Sequence, residues 1–334
     1  QYYGANRTGR WAGRMVQMQN LPRNYIKTLD YARETVKKKN YEGLRVLYGN
    51  VPDTLSQLIR TAFIPSEGNK FVVADFSAIE ARVIAWLAGK QWVNEVFATH
   101  GKIYEATASQ MFHVPLEKIV KGKVATLALG YQGGPAALIE MGALKQGLTE
   151  EELPDIVQRW RQANPRIKDL WYSVENAAVA AMTTAQPQAI NGLIFSLEGD
   201  LLYGQTFLTV RLPSGRKLFY PKPFLRENQF GKMALHYYAV GQRTKKWGIE
   251  STYGGKMTEN IVQAVARDCL AITLERIAEK GLQVVFHVHD EVIIDAPMET
   301  TVDEICDLMA EPIPWAPGLI LKGAGFESNY YMKD

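Results

Sequence analysis

Cysteine is nearly absent. The 334 residues contain only Cys269 and Cys306, with no CxxC pair and no set of four from which a disulfide framework or zinc site is built. The expectation is a reduced, cytoplasmic protein without structural zinc. Long apolar runs are lacking too, so neither a signal peptide nor a membrane span is expected. Nor is there a strong excess of one charge. Thirty-eight Lys and Arg against 35 Asp and Glu leave a formal net charge of +3, which neither requires nor excludes a polyanionic partner. Local clusters say more. Arg7, Arg10, Arg14 and Arg23 fall near the start, and Arg243, Lys245 and Lys246 lie close together later. Either group can neutralise phosphates, and either can equally be a solvated basic face.

What is present is ample apolar content, 47% of the chain, enough for one large domain or two to three subdomains. Residues 1–24 mix Gly, Arg, Gln and Asn without helical period and read as extended chain and turns. Helical spacing predicts short helices over Tyr25–Lys39 and Asp53–Ala62. Phe71–Ala74 reads as a buried strand, followed by a helix from Ser77 to about Leu87, closed by Gly89. Helical patterns then run from Val93 to about Met182, broken at Gly133-Gly134-Pro135 and at Asn164-Pro165. A hairpin is predicted over Phe207–Tyr220 around Pro213-Ser214-Gly215, with helices returning at Met233–Lys246 and Thr258–Lys280. Gln283–Val288 and Val292–Asp295 read as a second hairpin flanking His289-Asp290-Glu291. Strand-bearing segments separated by a long helical stretch imply an α+β core interrupted by an α-helical subdomain.

The chemistry concentrates in three of these places. Asp75 ends an apolar strand, where a rigid backbone lets a side chain face a cleft, although an aspartate there also suits the dipole of the following helix. Asp290 occupies the tip of a hairpin, where aspartate is also an ordinary turn residue. Together, two carboxylates on adjacent strands can hold two Mg2+ ions roughly 4 Å apart. Glu291 would add negative field without being a direct ligand. Glu80 reads as completing a capping box with Ser77. Lys123, Leu127 and Tyr131 follow at i, i+4 and i+8 and share one helix face, either an amphipathic edge or a surface aimed at a charged ligand.

The segments KFVVADFSAIEAR, KVATLALGY and QVVFHVHDEVIID, in this order, resemble the polymerase region of the family A DNA polymerases in a bacteriophage or prophage-like version. The opening TGRWAGRMVQMQNLPR resembles that family's template–primer segment, and the matching stretches span most of the chain. The resemblance implies a right-hand core with an antiparallel-sheet palm and α-helical fingers. It divides the chain into palm (1–90), fingers (91–222) and palm again (223–334). It implies Asp75 and Asp290 as metal ligands, Lys123 on the triphosphate, and Tyr131 beside the nascent base pair. Glu80 becomes a steric gate under the sugar, and Arg10, Gln19, Asn20, Gln263 and His289 become duplex and primer contacts. Two positions depart from the family pattern. Leu127 stands where a sugar-contacting aromatic is usual, and Ile119 where arginine is frequent, leaving Lys118 or Lys121 to supply that charge.

The implied activity is template-directed DNA synthesis with Mg2+, dNTPs and primer–template DNA. A non-catalytic polymerase-derived binding module and a metal-dependent nuclease are the alternatives. The family normally places a thumb and an exonuclease-like domain ahead of this region, and neither is expected within these residues. The motif-like opening at Gln1 reads as part of something longer. An upstream region or a processivity factor is therefore an expected partner, and a membrane is not.

Overall fold

The computed structural model describes residues 7–89, 96, 129–200, 205–228, 231–241 and 244–333. Lys123 and Leu127, with Ile119, Lys118, Lys121 and Arg243, lie outside the described residues.

The first helices are α1 (Leu29–Lys37), α2 (Tyr41–Tyr48) and α3 (Val51–Leu58), the last continued by a 3-10 turn over Ile59–Ala62. Asn40 and Asn50 start α2 and α3 by accepting the free N–H groups of Gly43 and Asp53. Sequence periodicity missed α2 and placed the first helix four residues too early. Asn40 and Gly49 bound α2, a helix of only eight residues that apolar spacing did not single out.

Strand β1 (Asn69–Phe76) and helix α4 (Ile79–Leu87) follow. Beyond residue 128 come α5 (Pro135–Glu140), α6 (Leu153–Ala163) and α7 (Pro165–Thr184), with prolines in their first turns where a missing N–H costs nothing. Two antiparallel sheets come next. One runs β2 (Gln188–Ile190), β3 (Leu193–Asp200), β4 (Gln205–Arg211), β5 (Lys217–Pro221), and the other β6 (Phe224–Glu227), β7 (Met233–Val240), β8 (Trp247–Thr252). The hairpin around Pro213-Ser214-Gly215 is therefore present, but the expected helix over Met233–Lys246 is not. Leu235 and Tyr237 are buried and alternate with half-exposed His236 and Tyr238, a period of two that a helical reading overlooks.

The long helix α8 (Gly254–Glu279) leads into β9 (Gln283–Val288), β10 (Glu291–Pro297), α9 (Val302–Ala310) and β11 (Gly323–Ser328). The functional sheet has the order β11-β1-β10-β9, all antiparallel, so chain segments more than 200 residues apart become neighbours. Alternation along β1 sorts its side chains. Val72, Ala74 and Phe76 enter the main core, while Phe71 and Val73 join Ile293 and Tyr331 in a smaller cluster on the opposite face. Asp75 belongs to that second face by the same alternation and stands directly across from Glu291.

Candidate active site

The site is built where β1 ends and the β9–β10 turn begins. Val288 pairs with Glu291, which leaves His289 and Asp290 as a two-residue turn. His289 takes a left-handed backbone (φ 58°), a conformation that histidine tolerates better than branched residues. The Asp290 carbonyl accepts the Phe76 N–H at 3.2 Å, stitching the turn to the end of β1. Both aspartates therefore meet at one sheet end. Burial first, then the Asp290 charge, push the Asp75 carboxyl up to about 7, against the opposing charge of Lys333. Asp75 Oδ1 is buried and has no hydrogen-bond partner. An orphaned carboxylate oxygen beside a second carboxylate is a site that a hard divalent cation satisfies. Among the described residues no group of three or more His, Cys, Asp or Glu side chains that could hold a metal ion forms.

Glu291 does not point into this pair. It is buried and engaged by Tyr331 Oη, which donates to its Oε1 at 2.8 Å, and by Lys333 Nζ at 3.3 Å. Behind Tyr331 lies buried Arg60, whose guanidinium donates to Tyr331 Oη at 2.9 Å and to the carbonyls of Pro22 and Leu21 at 2.8 and 2.6 Å. A polar chain thus ties residues 21–22 to the carboxylate turn through the core. The sequence reading had none of Arg60, Tyr331 or Lys333, because nothing in their local sequence marks them.

The turn from β1 into α4 decides the fate of Glu80. The capping box is not made. Ser77 N–H donates instead to the Lys322 carbonyl at 2.8 Å, and Ala78, in a left-handed conformation (φ 52°), is the residue that caps α4. Arg82, buried despite its charge, holds this corner by donating to the carbonyls of Ser77 and Ile320 at 2.7 and 2.9 Å. An arginine inside the otherwise apolar run IEARVIAWL was the sequence signal for it. Glu80 is thereby freed to receive Arg10 Nη2 on Oε1 at 2.9 Å and Tyr131 Oη on Oε2 at 2.7 Å. Burial and the Glu80 charge hold the Tyr131 phenol well above its usual range, so it stays a donor. Three residues singled out separately, at positions 10, 80 and 131, form one cluster.

Residues 8–11 are fixed from behind. Arg216 donates to the Thr8 carbonyl at 2.9 Å while paired with Asp268 at 2.8 Å, and the Arg267 guanidinium lies 4.2 Å from the Trp11 ring centre. Trp11 in turn packs edge-on against His287 on β9. Between this segment and β9 lies a cavity of about 240 Å3 lined by Arg10, Trp11, Gln19, Phe286, His287 and His289, among others. Partial burial, with the Arg10 charge, pushes the His289 imidazole below its usual pKa. Asn20 stands apart: it bonds Gln17 at 2.5 Å and does not line the cavity. Gln263 sits mid-way along α8 and donates to Glu259 at 3.3 Å.

The fold and this cluster define a polymerase-type palm with a helical partner. Residues 4–184, more than half of the chain, match DNA polymerase family A. A DNA polymerase of Bacillus phage SP02 is 56% identical over all of this chain, which covers 52% of that protein. The thermostable DNA polymerase I of Thermus aquaticus is 26% identical over 75% of the chain and 26% of its own length. Among solved structures, "POL domain of Pol1 from M. smegmatis complex with DNA primer-template and dNTP" matches with a TM-score of 0.59 at 17% identity. That match covers 97% of this chain and 46% of that one. The chain belongs to DNA polymerase family A, of the kind found in phages. It spans about half the length of the phage relative and about a quarter of the bacterial one.

Proposed function

We propose that this chain is the palm (1–90 and 223–334) and fingers (91–222) of a template-directed DNA polymerase, which adds deoxynucleotides to a primer 3′-hydroxyl. The observation that carries the reading is the meeting of Asp75, Asp290 and the Arg10–Glu80–Tyr131 cluster from segments far apart in sequence. Asp75 and Asp290 would hold two Mg2+ ions, and the orphaned Asp75 oxygen supports that assignment. Bound metal supplies a more acidic primer hydroxyl and charge neutralisation at the leaving pyrophosphate.

The protein's own groups do the rest. Glu80, fixed from two sides, forms a rigid wall under the sugar and leaves no room for a 2′-hydroxyl. Tyr131, held against Glu80, flanks the incoming base pair. Lys123 and Leu127, assigned from the sequence alone, are the expected contacts to the triphosphate and the rest of the nucleotide. Arg10, Gln19 and His289 border the cavity that receives the primer end. There, donors sense the acceptors common to every correctly shaped pair. Asn20 and Gln263 are assigned to the flanking duplex. Among the described residues no helix is long and apolar enough to cross a membrane, and the phage relative supports action in the bacterial cytoplasm.

Extension of a labelled primer–template with Mg2+ and four dNTPs tests the reading, beside an Asp290→Ala control. Synthesis lost in the control is expected. Degradation of DNA without nucleotides would identify a nuclease instead, and tight binding with no synthesis a non-catalytic module.

A further inference from the structure

The outer face of the β6–β7–β8 sheet has no role in the polymerase reading. Its inner face is core: Leu235 and Tyr237 are buried, and Tyr237 meets Tyr220 edge-on at 5.0 Å. Register then places Phe224, Arg226, His236, Tyr238, Val240, Trp247 and Ile249 together on the other side. Among the described residues, that side is largely open to solvent. Trp247 is 60% exposed, Val240 54% and Ile249 51%. Its rings form a continuous row. Phe224 stacks on His236 at 5.4 Å and meets Tyr238 at 6.4 Å, and Tyr238 stacks with Trp247 at 6.4 Å.

Charge is sorted between the two faces. Lys222 Nζ lies 5.9 Å from the Tyr238 ring centre, Arg226 shares the outer face, and exposed Lys245 and Lys246 sit in the turn that leads to Trp247. The only carboxylates on these three strands, Glu227 and Glu250, stand opposite Met233 and Tyr237 on the other face. A solvent-facing sheet with a row of rings, flanked by cations and free of acids, matches single-stranded nucleic acid, whose bases stack while its phosphates are neutralised. A protein partner or a second copy of the chain would use the rings but would gain nothing from segregating every acid to the far side. The sheet also adjoins the template–primer segment, since the Arg7 guanidinium lies 4.8 Å from the Tyr237 ring centre on its inner face.

We propose that the outer face of β6–β8 is a binding platform for single-stranded DNA, taking the unpaired template strand beyond the active site. The inference rests on the polymerase reading only for the identity of that strand.

The test is polarisation binding of labelled primer–templates, blunt or with a 5′ template overhang of about ten nucleotides, a length within the usual site sizes for such platforms. Wild type should bind the overhang substrate about tenfold tighter than the blunt one. Tyr238→Ala with Trp247→Ala should reduce that gain to about twofold or less, leave blunt-duplex affinity unchanged, and be rescued by Tyr238→Phe with Trp247→Phe. Lys222→Gln with Arg226→Gln should lower the salt slope of overhang binding by about 1.4, the value for two single-strand phosphate contacts. An overhang preference untouched by the double alanine variant overturns the proposal. Equal loss on blunt duplex overturns it as well. So does wild-type self-association in sedimentation that the double alanine variant abolishes while overhang binding persists, since the face then serves a second copy. Single-nucleotide extension on a one-base overhang reports separately on the polymerase reading, which can fail without affecting these binding results.

Discussion

At the scale of single residues, Asp75 is the position where, on the proposed reading, function costs stability. Its raised pKa means that the folded chain keeps a proton which the unfolded chain releases between about 3.8 and about 7. The native state thus binds more protons in this window, so stability falls as pH rises through it, and the full penalty persists above it. Thermal unfolding without metal should show this contribution declining from acid towards neutral pH, with Mg2+ restoring stability above neutrality by binding the native state. Asp75→Asn removes the charge, and it should raise metal-free stability near pH 8 by roughly 1–3 kcal/mol while abolishing synthesis. A variant less stable than wild type under those conditions would contradict the assignment. Glu80 makes a second residue-scale prediction. Its carboxylate is held by Arg10 and Tyr131 rather than by the helix end, so Glu80→Ala opens space under the sugar. Selection of dNTPs over rNTPs should fall by about tenfold or more, read as the ratio of kcat/KM values. Helix stability should barely change, whereas a capping glutamate would have cost the helix about 1 kcal/mol.

At the scale of elements, two glycines set close approaches of α8: Gly254 to α7, and Gly255 to the Tyr131–Gln132 turn. A methyl group at Gly254 would fall 2.0 Å from the Trp171 carbonyl oxygen, and one at Gly255 would fall 2.5 Å from that of Tyr131. Both obstacles are backbone and cannot swing aside. Trp171 itself is buried, stacked on Trp160 at 5.9 Å, and donates to the Gly130 carbonyl at 2.8 Å. Gly254→Ala should therefore destabilise the chain by about 2 kcal/mol or more, despite the better helix propensity of alanine, and should disturb the Tyr131–Glu80 contact. Denaturant unfolding with Trp fluorescence measures the first, and the KM for dNTP the second. Neutral stability would show that the two helices can separate without loss. The same scale explains the strand mistaken for a helix. Met233–Val240 carries few β-branched residues, and its alternation becomes visible only when Leu235 and Tyr237 are seen to face a core built by distant segments.

At the scale of the whole molecule, the basic side chains near the template–primer segment are largely occupied. Arg10 pairs with Glu80, Arg216 and Arg267 with Asp268, and Arg7 lies over Tyr237. On the proposed reading, binding of duplex by this chain should be weak and should weaken between 50 and 200 mM salt, on the order of tenfold or more. Synthesis by this chain should, on the same reading, be distributive, as product lengths on a primed single-stranded template would reveal. Long products from this chain alone at physiological salt would refute that expectation. The sequence by itself determined the local chemistry. An apolar strand ending in Asp75, a tight turn carrying Asp290 and the order of motifs around them are short-range patterns, readable because strand burial and turn geometry act over a few residues. Those patterns were enough to indicate the family, which the match over residues 4–184 bears out. Only the tertiary structure decided which side chains share a partner. It turned Glu80 away from Ser77 to Arg10 and Tyr131, locked Glu291 onto Tyr331 and Lys333, and buried Arg60 behind them. Such pairings join residues up to 271 positions apart, and they depend on β1 being inserted between β10 and β11. Local periodicity carries no information about that arrangement, because it is set by the burial of whole faces against one another.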